Sequence, residues 1–67
     1  MNIDIRKSIK ENFKDNNTNE IKESIENSIS DKEEITLPGM GVFFEILWEN
    51  SDSNQKDIII NTIKKGL

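Results

Sequence analysis

The chain has 67 residues, nine basic and thirteen acidic groups for a net charge of −4, and neither Cys nor His. Its length predicts one small domain, and the two missing residue types exclude disulfide staples, thiol nucleophiles, zinc knuckles, imidazole bases and Ser-His-Asp arrangements. The negative charge is the wrong sign for neutralising phosphates along a duplex, and no apolar run approaches the ~18 residues of a membrane span.

Residues 3–14 place Ile5, Ile9 and Phe13 at i, i+4, i+8 with Arg6, Lys7, Lys10, Glu11 and Lys14 between them, the single apolar stripe of a charged helix. Asp15-Asn16-Asn17-Thr18-Asn19 then breaks the pattern with side chains that bond nearby backbone. Asn17 followed by Glu20 reads as a capping box, and Ile21, Ile25 and Ile29 repeat the stripe to about Ser30. Two narrow stripes joined by a short break predict an antiparallel helical hairpin over residues 3–30.

Residues 31–41 read as a connector. Pro38 biases Leu37 away from helix, and Gly39 and Gly41 around Met40 permit unusual backbone. Val42-Phe43-Phe44-Glu45-Ile46-Leu47-Trp48 is apolar at six of seven positions. Periodicity alone does not separate helix from strand there; a short helix over 42–50 is preferred because an isolated strand has no partner. Ser51-Asp52-Ser53 offers N-caps, and a last helix over 53–66 is lined by Ile58, Ile59, Ile60, Ile63 and Leu67, with Lys64 and Lys65 at the end that favours cations. The expected fold is all-α: four short helices in a single unit over 1–67, with a Pro/Gly connector before the third. A domain this small buries only ~60% of the surface its unfolded chain exposes. Twelve Ile and no Ala therefore build either a compact core or the seam of a homodimer.

Leu37-Pro38-Gly39-Met40-Gly41 ahead of an apolar helix has the glycines of an anion loop but neither a P-loop ending nor a third dinucleotide glycine. It reads as a tight turn that lets the third helix dock closely, or else as a binding loop. Phe43, Phe44 and Trp48 either fill the core or, with Leu37 and Met40, form an association surface; base stacking normally comes with a basic groove. Glu45 and Glu49 stand i, i+4, and residues 20–34 hold six acids against Lys22 and Lys32, without the spacing of a calcium loop. A solvated face is the simpler reading. Glu45, the lone charge in its apolar run, is expected either to face solvent or to accept from backbone N–H groups of the preceding loop. Arg6, Lys7, Lys10 and Lys14 give the first helix a weak basic strip, diluted by Asp4, Glu11 and Asp15 to +1 over residues 1–15. No metal, cofactor or catalytic residue is expected. Charge ahead of any apolar stretch at the N-terminus argues against a secretory signal, so the protein is expected to stay in the cytoplasm where it is made.

The segment Leu37-Pro38-Gly39-Met40-Gly41-Val42-Phe43-Phe44-Glu45-Ile46-Leu47-Trp48 resembles the central Leu-Pro-Gly-x-Gly-Val-x-Phe-Glu-x-x-Trp stretch of the small acid-soluble spore protein SspI family of endospore-forming bacteria. Ile5-Arg6, Ile9, Asn12, Asn16-Asn17, Ile21, Ile25, Ile29, Glu33-Glu34, Lys56 and Gly66-Leu67 are similar in type and position. The chain departs in Ser8 and Lys10, where the family's first helix is more apolar, and in having no tail after Leu67. The resemblance implies a minor protein of the forespore and spore core, and implies no activity or functional residues. Two readings follow. One is a non-enzymatic structural or interaction protein that self-associates, as a dimer, or meets another spore-core protein. The other is a DNA-associated spore protein using the Arg6, Lys7, Lys10 and Lys14 face with Lys56, Lys64 and Lys65. An enzyme is the weakest, since only carboxylates and lysines are available to it.

Overall fold

The caps placed by the sequence build the helices. In a computed structural model describing residues 4–32 and 34–67, the Asp4 side chain accepts from the Lys7 N–H at 3.0 Å and starts α1, Ile5–Phe13. Asn17 and Glu20 form the expected reciprocal box, with Glu20 N to Asn17 Oδ1 at 2.9 Å and Asn17 N to Glu20 Oε1 at 3.3 Å, and start α2, Thr18–Asp31. Asp52 is the N-cap of α4, Ser53–Lys65, in a second box with Gln55. Each cap satisfies helix-end N–H groups that lack an intrahelical acceptor. The described residues contain four α-helices and no strand. Of the sequence expectations, the Ile3 start of the first helix and Glu33 lie outside the described residues.

The third helix differs from expectation. A 3₁₀ turn, Glu34–Thr36, leads directly into α3, Leu37–Glu49, which takes in the whole Leu37-Pro38-Gly39-Met40-Gly41 segment placed in the connector. The reason is local: proline in a first helical turn gives up an N–H that has no partner there, and its fixed φ suits the helix. No glycine has positive φ, so conformational freedom is not what Gly39 supplies. A Cβ on Gly39 would stand 3.2 Å from Ile9 Cδ1, whereas one on Gly41 would meet nothing within 4 Å. Gly39 is thus the close-approach point of α1 and α3. Close docking of the third helix holds, but by helix against helix and not through a turn.

That α1–α3 contact dominates the fold; α1 pairs chiefly with α3, not with α2 as the hairpin reading had it. Phe13 and Phe43 meet edge to face, centroids 5.0 Å apart at 75°, the geometry that ring quadrupoles favour. Val42 is the one buried side chain among the described residues, at 5% exposed. The Cα radius of gyration is 13.1 Å, against about 11 Å for a compact chain of this length. An open arrangement follows from the sequence: three narrow stripes leave α2 and α4 with one apolar face each and too little surface to cover them.

Candidate interaction surface

Arg6, on the first turn of α1, reaches across to Glu45 in the middle of α3. Nε and Nη2 each donate to one carboxylate oxygen at 2.8 Å, the two-bond fork that guanidinium and carboxylate geometry allows. The hydrogen bonds from Arg6, then its positive charge and that of Lys10, hold the Glu45 carboxyl below its ordinary range despite the opposing effect of desolvation. The same hydrogen bonds and the Glu45 charge raise the Arg6 guanidinium. Glu45 therefore does not face solvent unpaired: its carboxylate is taken by Arg6 and, among the described residues, is found bonded to no backbone N–H of the preceding loop. The sequence signal for this contact was a lone acid in an apolar run and the chain's one Arg.

With Arg6 committed, the basic strip of α1 reduces to Lys7, Lys10 and Lys14, all exposed. Lys10 and Lys14 border an open groove of ≈ 500 Å³ floored by Ile9, Phe13, Ile21, Ile25, Phe43 and Ile46, so α1, α2 and α3 enclose apolar space without filling it. Of the aromatic trio, Phe43 turns inward to Phe13, while Phe44 turns outward and stays 43% exposed. Phe44 stacks on Trp48 with centroids 6.0 Å apart and planes 23° apart, as their i, i+4 spacing requires. Leu37 is exposed and Met40 half-buried.

Lys56, in the first turn of α4, sits over the Trp48 ring at 5.1 Å. This cation–π contact, worth about 0.5–1 kcal/mol at such a site, joins α4 to α3 and was not foreseen from sequence. The turn between them is tied by side chains: Asn50 Nδ2 donates to the Ile46 carbonyl at 2.8 Å and Ser51 Oγ to the Leu47 carbonyl at 2.6 Å. Leu37, Phe44 and Leu47 then stand exposed along α3, Leu47 also at the edge of that groove, and Ile60, Ile63 and Leu67 continue as exposed side chains along α4 and just beyond it. Among the described residues no cluster of three or more Asp and Glu is placed to hold a metal ion, and no helix is long and apolar enough to cross a membrane.

The model of the family described as "Small, acid-soluble spore protein I" matches residues 3–67. Curated proteins of that name from Bacillus cytotoxicus, Bacillus mycoides and Bacillus anthracis are each 36% identical to the chain over 67 residues. These alignments cover all of this chain, with 96% of the first relative and 97% of the other two. No solved structure matches it.

Proposed function

We propose a function from a settled premise: the chain belongs to the small, acid-soluble spore protein I family. It is a non-enzymatic protein of the forespore and spore core that works by protein contact, its first partner a second copy of itself. One observation carries this reading. Ten large apolar side chains stay 43% exposed or more, while Val42 alone is buried among the described residues. At ~25 cal/mol per Å² of apolar surface covered, pairing such faces adds several kcal/mol to a fold this small.

The DNA-associated reading keeps one supporting observation: Lys7 and Lys10 on α1 and Lys14 at its C-cap are exposed and enter no ion pair among the described residues. Against it stand the commitment of Arg6 to Glu45 and the net −4. Fluorescence anisotropy of labelled duplex DNA, titrated at low and moderate salt, separates the two. The contact reading expects no binding at either salt. Tight binding at low salt that weakens steeply as salt rises would replace it with the DNA reading.

A further inference from the structure

We infer that the outward stripe of α3, Leu37, Phe44 and Leu47, is the seat for α4 of a second copy, exchanged reciprocally about a two-fold axis. The inference rests on the self-association reading above and names its geometry. Leu37, Phe44 and Leu47 follow one another at intervals of seven and three, and Ile60, Ile63 and Leu67 at three and four, so each set makes a single stripe suited to helix–helix packing. Both stripes are open to solvent: the six side chains range from 43% to 91% exposed. Within one chain α4 packs lightly on α3, through Lys56 over Trp48, while Asn50 and Ser51 close the end of α3 ahead of it by bonding the Ile46 and Leu47 carbonyls.

Area and charge both favour a second copy as the occupant. Exposed by roughly half, six side chains of ~150–200 Å² offer about 500 Å² per copy, and a symmetric pair doubles this to about 1,000 Å², the floor for a specific interface. Lys56, Lys64 and Lys65 against Asp57 leave α4 at +2, whereas on α3 Glu45 is taken by Arg6 and Glu49 enters no ion pair among the described residues, and the molecule outside α4 stands at −6. A basic helix from one copy thus meets an acidic body on the other, and the two-fold axis makes the same match twice.

The chain has no cysteine, so introduced thiols report one contact each. Leu47→Cys and Ile63→Cys copies, mixed and mildly oxidised, are expected to give the crosslinked heterodimer as the main covalent product by mass spectrometry. A Phe44→Cys and Ile60→Cys mixture repeats the test should either first variant lose helicity by circular dichroism. Preferential linking of each variant to itself, or ring closure within a single chain carrying Leu47→Cys and Ile63→Cys together, would overturn the exchange. An unmodified chain that sediments as a dimer beside a failed crosslink overturns the exchange and leaves self-association standing; a monomeric unmodified chain removes both.

Discussion

Arg6 and Glu45 stand 39 residues apart in sequence and close a two-bond fork, 2.8 Å on each arm, that fixes the rotation of α1 against α3. The pair is open to solvent, the two side chains being 67% and 42% exposed, so its value is in register more than in stability. Its effect has a definite pH sense. Because folding lowers the Glu45 carboxyl, its contribution is fully present above the ordinary carboxylate value of about 4.3. It is lost as pH falls through the lower folded value, while Arg6 remains charged throughout. Denaturant titrations across the acid range should show Glu45→Gln less pH-sensitive there than the parent. Arg6→Lys should lose part of the benefit despite keeping its charge.

Phe43 and Phe44 are neighbours with opposite destinies. Phe43→Ala removes the edge-to-face partner of Phe13 and should cost about 2–3 kcal/mol of folding stability, below the full core value because the site is half-buried. Phe44→Ala loses chiefly its stack on Trp48, about 1 kcal/mol, and should act mainly on association. Thermal melts at low concentration, paired with sedimentation at high concentration, separate the two effects.

Gly39 and Gly41 invite a matched comparison. Gly41→Ala places a methyl in open space on a helical backbone and should stabilise by about 0.5–1 kcal/mol. Gly39→Ala gains the same propensity but presses on Ile9 Cδ1 at 3.2 Å, so it should gain less or turn destabilising. Equal gains from both in chemical denaturation would mean that α1 and α3 do not approach each other there.

Lys32 ends α2 in the left-handed region at φ 52, where a side chain costs about 1 kcal/mol. Lys32→Gly should raise the unfolding midpoint by an amount equivalent to about 0.5 kcal/mol, the strain relieved exceeding the extra entropy of the unfolded chain.

Much of the fold is legible in the sequence because its signals are local. Asn17 with Glu20, Asp52 ahead of the last helix and the four-residue isoleucine steps locate α1, α2 and α4 to within a residue or two. The start of α3 is not legible, since a proline reads equally as the end of one segment or the first turn of the next. Nor is the inward turn of Phe43 and outward turn of Phe44, because a run apolar at six of seven positions marks no face. The stacking of Phe44 with Trp48 is readable from spacing, but the Arg6–Glu45 fork depends on how α1 meets α3, which no local pattern records. Of the residues expected to form an association surface, the structure leaves Leu37 and Phe44 exposed, turns Phe43 toward Phe13 and half-buries Met40 and Trp48, while Leu47, not among them, is also exposed.

Sedimentation equilibrium of the intact chain, from low micromolar to millimolar at two salt concentrations, tests contact as its mode of action most directly. A concentration-dependent monomer–dimer equilibrium that Phe44→Glu shifts to monomer is the predicted result. A helical monomer across the whole range, with Phe44→Glu indistinguishable from the parent, would contradict it.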